Sequence, residues 1–125
     1  MEAVLIDTNI LIGRIRKEPK AIAALESVGG LQVVLCDVVV AEVLAGTRNK
    51  QEYDTTHREL TTQFHVLPFT MEVSEHCRSI LAHEARELKV HFADQLIPST
   101  AMAHGCALLT LNKKHFKGIK GLKLA

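Results

Sequence analysis

Short runs of valine, leucine and isoleucine alternate along this chain with segments of helical spacing, and that alternation constrains the fold most. The runs are "AVLID" (3–7), "LQVVLC" (31–36), "FHVLPF" (64–69), "CALLTL" (106–111) and, more weakly, "LKLA" (122–125). They read as strands buried on both faces rather than strands with one wet side. The segments between them carry helix signals. "NILIGRI" (9–15) follows a capping aspartate, and "PKAIAALESV" (19–28) begins with a proline and is stopped by Gly29 and Gly30. "DVVVAEVLAG" (37–46) has an aspartate in front and a glycine behind, while "NKQEYDTTHREL" (49–60) is polar and predicted to lie on the surface. The stretch 70–89 places Val73, Cys77, Ile80, Leu81 and Leu88 on one face, and "DQLIPSTAMAHG" (94–105) ends at a glycine. Strand and helix in alternation predict parallel βαβ units and a sheet covered on both sides.

At 125 residues the chain is long enough for one core, and no repeat or Pro/Gly/Ser-rich linker divides it, so residues 1–125 are expected to form a single domain. No apolar run approaches the roughly 18–20 residues of a membrane span. The N-terminus lacks the basic and apolar regions of a secretory signal. Cys36, Cys77 and Cys106 are odd in number, far apart and set among apolar residues. Reduced, buried thiols in a cytoplasmic protein fit them best. Without a CxxC pair, seven histidines give little support to a structural zinc site.

The net charge of +1 is unevenly spread. No acidic residue follows Asp94, so Lys113, Lys114, Lys117, Lys120 and Lys123 give the last 31 residues +5, and the first 94 carry 10 − 14 = −4. Such a basic end either attracts a polyanion or is simply solvated.

Ligand sites of a doubly wound sheet lie at the carboxyl ends of its strands. Asp7 follows the first run, Asp37 and then Glu42 the second, and Asn112 the fourth, while Asp94 opens the helix leading into that fourth run. Glu42 is the only polar residue in "VVVAEVLA" (38–45). Either it occupies an exposed stripe of that helix or it is buried, and a cation removes the cost of burial. Asp94 and Asp7 each read also as helix caps. Three carboxylates brought to one edge repel one another and normally share a cation or a proton. All-oxygen ligands completed by water suit Mg²⁺ or Mn²⁺, the ions of two-metal phosphodiester hydrolysis. A basic C-terminal segment then has a phosphate backbone to hold.

"VLIDTNILI", "VVVAEVLAG", "ADQLIPSTAMAHGCALLT" and "LNKKHF" resemble, in order and spacing, the motifs of the PIN-domain ribonucleases, above all the VapC-type toxins of prokaryotic toxin–antitoxin pairs. The resemblance covers essentially the whole chain. It implies a three-layer α/β/α PIN-like fold around a mainly parallel sheet of about five strands. It also implies a Mg²⁺- or Mn²⁺-dependent endoribonuclease that cleaves RNA with a metal-activated water, forms a homodimer and is held inactive by a small VapB-like antitoxin. Carried over by position, Asp7, Glu42 and Asp94 are the acidic metal ligands, and Asn9 and Thr110 support them. Asn112 becomes a neutral donor reaching the metal through water, and Lys113, Lys114 and Lys117 bind RNA. Two departures stand out. Many members carry an aspartate where this chain has His115, leaving the site one carboxylate short, and Pro98 stands where the family usually has alanine. A proline four residues into a helix capped by Asp94 predicts a later start or a kink. The missing acid leaves two other readings open: a catalytically weak RNA- or protein-binding module, and a nuclease of RNA or DNA processing that is not a toxin.

Overall fold

The computed structural model describes residues 2–88 and 92–125. In chain order it contains β1 (Ala3–Ile6), α1 (Thr8–Ile15), α2 (Pro19–Ser27), β2 (Gln32–Cys36), α3 (Asp37–Ala45), α4 (Lys50–Gln63), β3 (His65–Leu67), α5 (Met71–Leu88), α6 (Phe92–Ala103), β4 (Ala107–Leu109) and α7 (Lys113–Phe116). The sheet order is β3-β2-β1-β4 and every pairing is parallel. Helices flank the sheet in the α/β/α arrangement of a PIN-like fold. Val4, Leu5 and Ile6 of β1 are completely buried between two neighbouring strands, as an apolar run without polar alternation requires. One hydrophobic cluster joins β1, β2, α1, α3, α6 and β4. All three cysteines are buried and unpaired.

The fifth strand expected at 122–125 is reduced to a single parallel bridge, Leu108 to Leu124. Leu108 donates to the Lys123 carbonyl and Ala125 to the Leu108 carbonyl, each at 2.9 Å. Gly121, at φ 88°, turns the chain just before this segment. The sheet therefore has four strands among the described residues rather than about five.

The helix of the 70–89 stretch buries Val73, Cys77 and Ile80 as expected; Lys89 and the Leu88 side chain lie outside the described residues. The next helix starts earlier than its sequence suggests. α6 begins at Phe92, so Asp94 sits inside the first turn instead of capping it, and Pro98 falls in the helix body. An interior proline removes a backbone hydrogen bond at a cost of about 3 kcal/mol. Burial offsets that cost, because Ile97, Pro98, Ser99, Thr100 and Ala101 are all buried where α6 packs on α5, α3 and β4.

Gly13 sets the approach of α1 to α2. A Cβ there would meet the Ala21 Cβ at 2.5 Å, so only glycine lets the two helices touch at this point.

Candidate metal centre

β1 delivers Asp7 to the carboxyl edge of the sheet, and the strand pairing continues one residue further, with the Asp7 N–H donating to the Leu109 carbonyl at 2.9 Å. The backbone is extended there (φ −72°, ψ 160°), and Asp7 becomes the N-cap of α1. Its Oδ1 accepts the Thr8 N–H at 2.8 Å. Its Oδ2 accepts the Thr110 hydroxyl at 2.7 Å and the Asn9 amide at 3.3 Å. The Thr110 hydroxyl oxygen in turn accepts the Asn9 amide at 3.3 Å and the Asn112 N–H at 3.0 Å. Asn9 Oδ1 accepts the Leu111 N–H at 3.1 Å. Asp7 is only 8% exposed, so this network of charge-assisted bonds is what makes its burial tolerable. Capping and membership of the site coexist in one side chain.

Glu42 is positioned differently. α3 turns Val38, Val39, Val40, Val43 and Leu44 inward and leaves Ala41, Glu42 and Ala45 on an exposed strip. Burial therefore gives no reason for a cation at Glu42. Geometry does bring it to Asp7, because the Thr8 hydroxyl donates to Glu42 Oε1 at 3.0 Å while the Thr8 N–H holds Asp7. Thr8 is the bridge between the two carboxylates. Sequence reasoning passed over it, although its place in "DTN" beside Asp7 was the available signal.

Asp7 and Glu42 open into one cleft of about 460 Å³, whose walls include Thr8, Asn9, Arg16 and Glu18. Leu111 separates it from a second groove of about 450 Å³ lined by Thr110, Asn112, Lys113, Lys114 and Ser27. Asn112 thus lines that second groove, and its N–H supports Thr110. Lys117 and His115 are exposed, and the His115 ring meets Phe116 edge-on at 4.9 Å. Asp94 is half-buried in the first turn of α6 and does not line the cleft of Asp7 and Glu42. Among the described residues no three Asp, Glu, His or Cys side chains stand close enough to hold a metal ion together.

The donor set nonetheless fits a hard divalent cation. It is all oxygen, and Mg²⁺ keeps several of its waters while binding through one or two carboxylates and a substrate phosphate. Cys36 ends β2 and offers no competing soft ligand, since burial pushes its thiol up to about 11.

The model of the PIN domain matches residues 4–122. A protein named Ribonuclease VapC1, from Rickettsia felis, is 31% identical over 97% of this chain and 93% of its own. Among solved structures, a toxin–antitoxin complex from Klebsiella pneumoniae aligns at TM-score 0.75 and 29% identity, over 95% of this chain and 94% of that one. VapBC2 from Rickettsia felis, bound to a DNA fragment from the promoter, aligns at TM-score 0.80 over 98% of this chain and 97% of that one; at 23% identity it speaks for the fold alone. The four-stranded parallel sheet with Asp7 and Glu42 at its carboxyl edge, a family match spanning nearly the whole chain and a relative of that identity lead to one assignment: the chain belongs to the PIN domain family, among its VapC-type members.

Proposed function

We propose that this protein is a Mg²⁺- or Mn²⁺-dependent endoribonuclease, the toxin of a VapBC-type pair. In this reading it acts as a homodimer and is restrained by a small VapB-like antitoxin. The observation that carries the reading is Thr8, which ties Asp7 and Glu42 into one cleft. The relative named as a ribonuclease and the neighbour described as a toxin–antitoxin complex support it.

A divalent cation held by Asp7 and Glu42 would supply Lewis-acid charge against the phosphodiester and acidify a water; Asp94, which lies outside their cleft, enters this reading as third ligand only through its place in the family motif. The chain's own residues do the rest. Thr8, Asn9 and Thr110 fix the Asp7 oxygens, so the carboxylate needs no reorganisation when a ligand arrives. Glu42, exposed and held by one hydroxyl, is free to adjust to substrate. Lys113 and Lys114, in the groove beyond Leu111, attract the strand on one side of the broken bond. Hydrolysis adds water across a P–O bond and leaves one phosphate and one hydroxyl end.

Incubation of the purified protein with structured RNA and Mn²⁺ tests this directly. Cleavage is expected with the metal and lost with excess EDTA, and Asp7→Asn and Asp94→Asn are expected to lose it while keeping the wild-type fold by circular dichroism. Undiminished cleavage in EDTA, or in the Asp94→Asn protein, would contradict the assignment. The rival reading, a weakly catalytic binding module, draws on the lack of a three-donor cluster among the described residues. Calorimetric titration separates the two, because a module of that kind takes up no Mn²⁺ at millimolar concentration.

A further inference from the structure

The wall that carries Glu42 also carries one guanidinium. We propose that Arg16 binds a backbone phosphate of the RNA strand beside the carboxylates, a substrate-holding role that rests on the ribonuclease reading above.

Arg16 lines the cleft of Asp7 and Glu42, and it also lines a smaller pocket of about 230 Å³ among α1, α3 and α4, with Ile12, Ile15 and Val43 in its walls. Glu42 belongs to both, so Arg16 stands where the two spaces meet. Its backbone is fixed by the way α1 ends. The Glu18 N–H donates to the Gly13 carbonyl at 2.8 Å and the Lys17 N–H to the Arg14 carbonyl at 3.1 Å. This is a Schellman turn, and the residue in its left-handed position is Lys17, at φ 58°, where glycine is usual. The chain accepts that strain and so keeps Arg16 and Glu18 at the cleft.

Three other cations of this region are already engaged. Arg48 pairs with Glu52 and Lys50 with Asp54, while the Arg14 guanidinium lies 5.5 Å from the centre of the Phe64 ring. Among the described residues Arg16 has no ion pair, although Glu18 and Glu42 share its wall. Its five donors remain available, and their planar fork matches the oxygens of a phosphate.

Charge says why the cleft needs it. Asp7, Glu18 and Glu42 outnumber Arg16 among the lining side chains, so a divalent cation and Arg16 together offset the carboxylates of the cleft. Without Arg16 the loaded cleft stays negative and repels a phosphodiester. Lys113 and Lys114 lie beyond Leu111, so cations flank the carboxylates on the path a strand would take across them.

The test is fluorescence anisotropy with a labelled oligouridylate of about ten nucleotides, in Ca²⁺ so that the carboxylates carry a hard cation, with gel electrophoresis checking that the label stays uncleaved. Wild type, Arg16→Ala and Arg16→Lys are titrated over a range of KCl concentrations, and thermal melts check the fold. Arg16→Ala is expected to bind about tenfold more weakly at low salt and to lower the slope of log K against log [salt] by about 0.7, one phosphate contact on a single strand. Arg16→Lys is expected to keep the slope and recover part of the affinity. Wild-type affinity and slope in Arg16→Ala overturn the proposal, as does a wild-type protein that binds no oligouridylate. Metal-dependent cleavage of RNA by that same wild type leaves the ribonuclease reading standing, so the two failures are distinguishable.

Discussion

Asp7 on the floor of the cleft and Glu42 on its wall face the same space, yet different forces hold them there. Asp7 is buried, and three donors from two distant parts of the chain converge on its oxygens. Glu42 is exposed and accepts one hydroxyl bond. The floor is rigid because its charge would be costly in any other arrangement. The wall is positioned by its helix and one hydroxyl, so the same chemical group is locked by a network in one place and left adjustable in the other.

Replacing each residue should separate the two roles, and the largest change in stability is expected at the floor. Asp7→Ala strands the buried Thr110 hydroxyl and takes the acceptor from the part-buried Thr8 N–H, while the Asn9 amide keeps its bond to the Thr110 oxygen. With each orphaned buried donor costing on the order of 1–3 kcal/mol and water recovering part of it, the loss is about 3 kcal/mol. Urea denaturation reads it as a lower midpoint at unchanged slope. A midpoint like that of wild type would mean that the network follows Asp7 without depending on it.

The buried side extends to Cys36, whose thiol is held up at about 11 by burial and, to a small degree, by the Asp37 and Asp7 charges. Above the ordinary thiol value of 9.0 the unfolded chain loses this proton while the folded one keeps it. The unfolded state then binds fewer protons, so stability falls as pH rises from about 9 to 11, by roughly 1.4 kcal/mol per unit and 2–3 kcal/mol in all. Cys77 and Cys106, also raised by burial, add in the same direction. Thermal melts across this window for wild type and Cys36→Ala isolate the contribution, and the two alkaline limbs should diverge. Parallel limbs would show that the β2 end is wetter than the floor of the cleft.

The floor was more legible in the sequence than the wall. Apolar neighbours mark both acids, but for Asp7 they belong to a strand buried on both faces, so the apolar setting does mean burial. Around Glu42 the apolar window 38–45 hides a helix that exposes three of its eight positions, and alanines at 41 and 45 make that strip look like core. Partners were harder still. The bond from Thr110 to Asp7 spans 103 residues, and only the pairing of β1 with β4 brings them together. Four strands and their parallel pairing agree with the spacing of the apolar runs; the weaker fifth run reaches only a single bridge, beyond a turn at Gly121 whose φ no spacing reveals. Pro98 misleads for the opposite reason, since tertiary burial overrides a local rule.

The wall can also be relaxed. Lys17 holds a left-handed conformation that costs a side chain about 1 kcal/mol and costs glycine almost nothing. Lys17→Gly is therefore expected to raise stability by up to about 1 kcal/mol, less whatever the more flexible unfolded chain takes back. Guanidinium denaturation is sensitive enough to detect this. A loss of more than about 1 kcal/mol would indicate that the Lys17 side chain holds the turn through packing.

The smallest change in stability belongs to Glu42→Gln. The amide oxygen still accepts the Thr8 hydroxyl, the side chain stays in solvent, and removing one of three negative charges around the cleft slightly eases their repulsion. The net effect is within about 0.5 kcal/mol of zero, the usual range for an exposed position. Mn²⁺-dependent cleavage should nevertheless fall sharply, because the lost group is the charge and not the fold. A stability loss comparable to that of Asp7→Ala would erase the distinction between floor and wall. Unchanged stability with unchanged cleavage would instead remove Glu42 from the site and leave Asp7 to be judged with Asp94 alone.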